Sequence, residues 1–140
     1  MGKWTHSLRG AIEVRVLLDT QVLIHAYSGE IDAMSRKVRV LLAADDTDLV
    51  VSVVSLMEIA IKSGGGKLQM GEAEVREAVR DLRLTILPFN PEHAYRLFGL
   101  PPHHRDPFDR MLIATALVDE IPLIGSDRLF KKYKGLSVIW

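Results

Sequence analysis

Apolar residues in this chain follow two alternating rhythms: short unbroken runs, and longer stretches with helical spacing. Glu13 to Leu18, reading E-V-R-V-L-L, is a run that predicts a buried strand. Thr20 to Tyr27 then sets Val22, Leu23, Ala26 and Tyr27 at helical spacing, until Ser28, Gly29 and Glu30 interrupt it. Met34 to Ala44 predicts a second helix, with Val38, Leu41 and Leu42 along one side. Asp48 to Val54 is dense in β-branched residues and predicts a second strand. Ser55 to Ser63 returns to helical spacing and stops at Gly64, Gly65 and Gly66. Glu72 to Leu82 predicts a polar-faced helix and Leu84 to Pro88 a third strand. Pro91 to Leu97 begins another helix with proline in a favoured first-turn position. The strongest helical pattern is Pro107 to Asp119. Pro122 to Gly125, Arg128 to Tyr133 and Leu136 to Ile139 read as a short strand, a short helix and a fifth strand.

Strands alternating with helices predict an α/β fold, a parallel sheet covered on both faces. No repeat or linker divides the chain, so one domain is expected, preceded by an N-terminal extension over residues 1–13. That extension holds Lys3 and Arg9 but no apolar core, unlike a secretory signal. No apolar stretch approaches the length of a membrane span.

Composition narrows the chemistry. The chain has 140 residues, with 48% hydrophobic and 26% charged, which suits a globular domain. Formal net charge is zero, so nucleic-acid binding has to come from local basic patches. There is no cysteine, which excludes disulfides, thiolate zinc sites and a cysteine nucleophile, and fits a cytoplasmic protein.

Four acids stand beside the predicted strand ends: Asp19, Glu58, Asp109 and Asp127. A parallel sheet gathers the loops after its strands along one edge, where ligands bind. Carboxylates pooled there repel unless a divalent cation such as Mg²⁺ or Mn²⁺ neutralises them. Each acid also has a plainer reading. Asp19 and Asp127 are placed as helix N-caps. Ser55 and Glu58 form an S-x-x-E capping box, and Asp106-Pro107 is a cap followed by a first-turn proline, with Asp109 at the positive helix end. Capping explains each position singly and leaves the pooled charge unexplained.

Among the other candidates, Gly64-Gly65-Gly66-Lys67 follows a helix and is followed by Leu68, so it fails as a phosphate loop and reads as a hinge. His103-His104-Arg105 is a further candidate for metal or phosphate; adjacent histidines on a loop usually bind neither, and the place of this segment beside the acid motifs leaves a nucleic-acid contact open. Lys62, Lys67, Arg105, Arg110 and Arg128 surround the acid motifs. Arg105, Arg110 and Arg128 are the candidate substrate contacts, against the plainer reading of solvated surface charge.

The segments V-L-L-D-T-Q-V-L-I, V-V-S-L-M-E-I-A-I-K, H-H-R-D-P-F-D-R-M-L-I-A-T-A-L and P-L-I-G-S-D-R-L-F, in this order, resemble the PIN-domain nucleases, most closely the VapC-type toxins of toxin–antitoxin pairs. The resemblance covers about Val14 to Trp140. It implies a three-layer α/β/α PIN domain over residues 14–140, with a central parallel sheet of about five strands. It implies a metal-dependent ribonuclease using Mg²⁺ or Mn²⁺, with Asp19, Glu58, Asp109 and Asp127 as the catalytic acids and Asp19, Asp109 and Asp127 as metal ligands. Thr20, Asp106 and Ser126 become auxiliary candidates. Also implied are an RNA substrate, a cognate antitoxin that occludes the site, and a homodimer. Gln21, His25 and Gly125 depart from the family pattern, Gly125 standing where Thr or Ser is usual. Two other classes stay open: a phosphoaspartyl or receiver-type signalling domain, and a non-catalytic α/β binding module whose acids only cap helices.

Overall fold

The computed structural model describes residues 4–6 and 12–140. Its strands are β1 (Trp4–His6), β2 (Ile12–Leu18), β3 (Thr47–Ser52), β4 (Thr85–Leu87), β5 (Leu123–Ile124) and β6 (Val138–Ile139). Its α-helices are α1 (Thr20–Ser28), α2 (Arg36–Ala43), α3 (Val53–Gly64), α4 (Glu72–Asp81), α5 (Pro91–Arg96) and α6 (Pro107–Asp119). Tight 3-10 turns cover Ile31–Ala33, Leu97–Gly99 and Arg128–Lys132. Part of the expected extension is thus the strand β1, paired antiparallel with the start of β2, His6 opposite Ile12; residues 1–3 and 7–11 of it lie outside the described residues.

The other five strands are parallel, in the order β4-β3-β2-β5-β6. Strand alternation sends successive side chains to opposite faces, and the core divides accordingly. Val16, Leu18, Leu49, Val51 and Ile124 pack under Val22 and Leu23 of α1, Val38 of α2, Ile59 of α3 and Ala78 of α4. Leu17, Val50 and Leu123 face the other way, against Leu112, Ile113 and Ala116 of α6 with Leu100, Phe130 and Tyr133. These are the two helical layers of an α/β/α sandwich. The chain leaves β2 towards β3 and β4 and later returns to the far side of β2 as β5. Beyond the C-terminal ends of β2 and β5, therefore, lies the crevice where such sheets place ligands.

One local expectation is overturned. Val53 and Val54 do not extend the second strand, and Ser55 with Glu58 is not a capping box. α3 starts two residues before Ser55, with Ser52 as its cap: the Ser52 Oγ accepts the Val54 N–H at 3.0 Å. β-branched residues favour strands, but Val54 is fully buried against the second core, and such burial overrides a weak propensity. Ser55 and Glu58 are thereby left inside the helix, both buried and free for other partners. The first inter-helix break is likewise longer than the periodicity suggests. Gly29 ends α1 in the left-handed region at φ 72°, and α2 begins only at Arg36, capped by Ser35.

Candidate active site

Asp19 is held by its backbone before its side chain acts. Its N–H donates to the Ile124 carbonyl at 2.9 Å, tying the end of β2 to β5. Its Oδ1 caps α1 by accepting the Val22 N–H at 2.8 Å. The residue is only 6% exposed. Burial pushes its carboxyl up to about 7, the Val22 N–H opposes this, and the charges of Asp109, Glu58 and Asp127 add to the rise. The four acids predicted from the strand ends are thus close enough to act on one another's charge.

Crowding at this carboxylate accounts for a departure from the family pattern. A Cβ on Gly125 would stand 2.5 Å from Asp19 Oδ2 and 2.6 Å from a ring carbon of Phe130. A side chain here would force the acid or that ring to shift, which favours glycine at this position.

Glu58 lies on α3, 5% exposed. Its Oε2 receives the ammonium of Lys62 one helical turn later, while its Oε1 is buried with no hydrogen-bond partner. The bond to Glu58 holds the Lys62 ammonium above its usual range against partial burial, and Asp106 and Asp109 reinforce it. Thr20 Oγ1 donates to Ser55 Oγ at 2.8 Å, a buried bond pinning the start of α1 to α3, and hence Asp19 to Glu58. A cleft of about 220 Å³ opens here, lined by Thr20, Gln21, Glu58, Lys62 and Lys67 among others. A larger apolar cavity, about 680 Å³ between α3 and α4, contains none of the acids.

Asp109 sits in the first turn of α6, half-buried, and caps nothing. Burial lifts its carboxyl to about 6; the Asp106 charge adds to this, His104 lowers it, and Glu58 and Asp127 raise it further. Asp106 is the cap of α6, its Oδ1 accepting the N–H groups of Phe108 and Asp109. Asp127 caps the turn after β5 through Oδ1, which accepts the Leu129 N–H at 2.9 Å. Its Oδ2 lies 2.8 Å from His104 Nε2. Ser126 is exposed beside it.

His104 is the residue whose importance the sequence pattern hides. It is buried, its ring stacks on Phe130, and its Nε2 lies 3.1 Å from Asp109 Oδ2 as well as 2.8 Å from Asp127 Oδ2. One ligand atom from each of His104, Asp109 and Asp127 falls within 4.8 Å of the others. Of the three arginines, Arg110 spends its guanidinium on the backbone carbonyls of Leu100, Pro101 and His104, bracing the loop that carries the histidine. Arg105 and Arg128 are exposed and form no ion pair among the described residues.

Counting oxygens shows what the arrangement can do. Asp19 Oδ1 and Glu58 Oε2 are each held by a protein donor, and Asp109 Oδ2 lies 3.1 Å from His104 Nε2. Asp19 Oδ2, Glu58 Oε1 and Asp109 Oδ1 have no such bond among the described residues. Of the three only Glu58 Oε1 is a buried atom, and a buried oxygen left without a donor is costly unless a cation takes it; hard oxygen ligands suit Mg²⁺ or Mn²⁺.

Solved structures with similar folds include VapBC2 from Rickettsia felis bound to a promoter DNA fragment, 17% identical, TM-score 0.68, covering 90% of this chain and 98% of that one. DNA-bound VapBC from Salmonella typhimurium is 18% identical at TM-score 0.66, covering 89% and 96%. VapBC-1 from nontypeable Haemophilus influenzae is 18% identical at TM-score 0.60, covering 90% and 97%. No curated protein matches the chain. The PIN domain family model matches residues 16–136, from within β2 past the turn that follows β5, and so takes in all four acids; the chain belongs to the PIN domain family.

Proposed function

We propose that this protein is a divalent-metal-dependent endoribonuclease, the toxin of a toxin–antitoxin pair. The observation that carries the enzymatic part is the orphaned Glu58 Oε1, buried among carboxylates whose charges help to hold Asp19 at about 7 and Asp109 at about 6. A module whose acids were only helix caps would not need this. Asp19, Asp106 and Asp127 do cap helices or turns, but Glu58 and Asp109 cap nothing. A receiver-type domain fits no better, since the acceptor position after β4 holds Asn90, which caps α5.

Asp19, Glu58 and Asp109 would hold the ion through their spare oxygens, with Asp127 shaping the site from its two engaged ones. A bound Mg²⁺ or Mn²⁺ would lower the pKa of water and neutralise charge building up on the scissile phosphate. The protein's own work is positioning. Asp19 is fixed by β5 and α1, Glu58 is pinned through Ser55 and Thr20, and Asp109 rides on the braced start of α6. Arg105 and Arg128 stand beside the third and fourth acids, exposed and without an ion pair among the described residues, suited to hold an RNA backbone by charge. Arg110 serves as a brace instead.

The toxin part rests on the similar structures, which are VapBC complexes. As the resemblance of the motifs to VapC-type toxins implies, an antitoxin protein would cover this acid edge, the chain would form a homodimer, and both would act in the cytoplasm. Among the described residues no helix is long and apolar enough to cross a membrane. The test is cleavage of single-stranded RNA with Mg²⁺, with Mn²⁺ and with excess chelator. Cleavage is expected with either ion and none in chelator; undiminished cleavage in chelator would overturn the assignment. Expression without its neighbouring reading frame should arrest growth, and growth unaffected would remove the toxin role.

A further inference from the structure

We infer that His104 is a positioning residue and not a metal ligand: its Nε2–H is a fixed donor to Asp127 Oδ2, with Asp109 Oδ2 drawn alongside at 3.1 Å, and Asp109 Oδ1 is left to face an ion. The inference rests on the reading of this edge as a metal site. Its distances alone would allow the opposite, since Nε2 and the two carboxylates are near enough to share a cation.

The other ring nitrogen decides between them. His104 Nδ1 accepts the backbone N–H of Asp106 at 3.2 Å. A nitrogen that accepts cannot also carry the proton, so the ring proton sits on Nε2. An Nε2 that bears hydrogen has no lone pair for a metal. Ligation through Nε2 would need the proton on Nδ1, where it would point at the Asp106 N–H. That N–H belongs to Asp106, whose side chain is itself tied down as the cap of α6, accepting the Phe108 and Asp109 N–H groups.

Everything else about His104 is fixed as well. Its backbone N–H donates to the Tyr133 hydroxyl at 2.8 Å, and that hydroxyl donates in turn to the Pro101 carbonyl. The His104 carbonyl accepts from Arg110, and the ring lies on Phe130. A donor held this rigidly sets the direction of the Asp127 carboxylate and draws Asp109 Oδ2 beside it before any ion arrives. It also bridges two like charges that would otherwise repel. Ligating carboxylates are commonly oriented by such hydrogen-bonded partners, whose loss typically costs 10–100-fold in metal affinity.

The test combines the intact protein with two variants. H104Q keeps a neutral N–H donor near the Nε2 position but removes the ring. H104F keeps a ring to stack on Phe130 but removes the donor. Mn²⁺ titration should give H104Q within about threefold of wild type and H104F weaker by about 10–100-fold. The reverse ranking would mean that only ring packing matters, and would overturn the inference. Electron spin-echo spectra of bound Mn²⁺ should lack directly coordinated ¹⁴N, and a coordinated nitrogen would also overturn it. In chelator, ¹⁵N spectra of labelled histidine should place the His104 proton on Nε2; a proton on Nδ1 removes the argument at its root. Wild type that binds no Mn²⁺ would instead bring down the nuclease reading, while the ¹⁵N spectrum still judged the bond network.

Discussion

Asp48 and Asp19 sit on neighbouring strands of one sheet, Asp48 near the start of β3 and Asp19 just past the end of β2, and both are shielded from water. Asp48 is fully provided for. Its Oδ2 receives Arg15 Nε at 3.2 Å from the directly opposed residue of β2, and its Oδ1 receives the Thr85 hydroxyl at 2.7 Å from β4. One acid meets one base and one hydroxyl across three strands, and no lone oxygen remains. At the other end of the strands Asp19 shares its space with Glu58, Asp109 and Asp127, while Lys62 is the cation bonded directly to an acid of this group. The contrast separates a carboxylate used to hold strands in register from a group kept short of counter-charge. Only the second has something to gain from binding an ion.

The largest expected effect is at Asp19. Asn ranks with Asp as a helix cap, so D19N should keep the Val22 bond and the fold but lose the anionic Oδ2. RNA cleavage should fall by at least about 100-fold, beyond the loss typical of a partner one shell out. Unfolding of the same protein, followed in chelator, should show it no less stable than wild type. Near-normal cleavage by folded D19N would put the ion elsewhere.

The pH dependence sharpens the same contrast. In the folded protein Asp19 titrates at about 7 and Asp109 at about 6, each above the ordinary 3.8. Groups raised in this way bind more protons folded than unfolded. Their stabilising contribution is therefore complete below the ordinary carboxylate value and is lost as pH rises through 6 to 7. Metal-free protein should lose stability between about pH 4 and pH 7, by at most about 1.4 kcal/mol for each pH unit by which a carboxyl stands above its ordinary value. Mn²⁺ should restore it, and D19N should flatten the curve. Thermal unfolding across that range, with chelator and with Mn²⁺, checks all three; equal curves for wild type and D19N would mean that Asp19 is not held out of its ordinary range.

The fold was largely readable because its signals are local. Alternating apolar runs and helical spacing located the five parallel strands, and Asp106-Pro107 placed the start of α6. The edge of the sheet then follows from strand order, which is why the four acids could be picked out together. What stayed hidden depends on contacts from distant parts of the chain. Burial of His104 comes from Phe130 and Tyr133, more than twenty residues later, so the pair His103-His104 read as loop residues with at most a nucleic-acid contact to make. One local signal was available: a histidine two residues before a cap aspartate can accept that residue's N–H, as His104 does. Arg110 looked like a phosphate contact because its neighbours in sequence are acids, but its donors reach carbonyls six to ten residues back. The S-x-x-E pattern misled for a similar reason, since burial of Val54 moved the helix start.

Gly125 tests how tightly the crowded end is built. In G125A the new methyl would meet Asp19 Oδ2 and the Phe130 ring at well under contact distance. Both neighbours are buried and must shift, at a cost of about 1–3 kcal/mol. The Asp19 carboxylate should move with them, so Mn²⁺ affinity should fall along with stability. A G125A protein that unfolds and binds Mn²⁺ as wild type does would mean that Asp19 has more freedom than its burial implies.

The smallest expected effect comes from the balanced acid, and its sign matters more than its size. In D48N one oxygen becomes an amide that cannot accept from Arg15 or Thr85, so either the part-buried bond to Arg15 or the exposed one to Thr85 is lost. The side chains of Arg15 and Asp48 are only 16% and 19% exposed, so the loss is not fully screened. Destabilisation of about 0.5–1.5 kcal/mol is expected. Cleavage should change by less than about twofold, since a change at the opposite end of the strands leaves the acid group untouched. The same Asp-to-Asn replacement is thus predicted to lower stability at Asp48 and to spare or raise it at Asp19, when both are unfolded in chelator near neutral pH. If D48N and D19N moved stability in the same direction by similar amounts, the acids beyond β2 and β5 would be ordinary structural carboxylates, and the shortage of counter-charge on which the metal site depends would not exist.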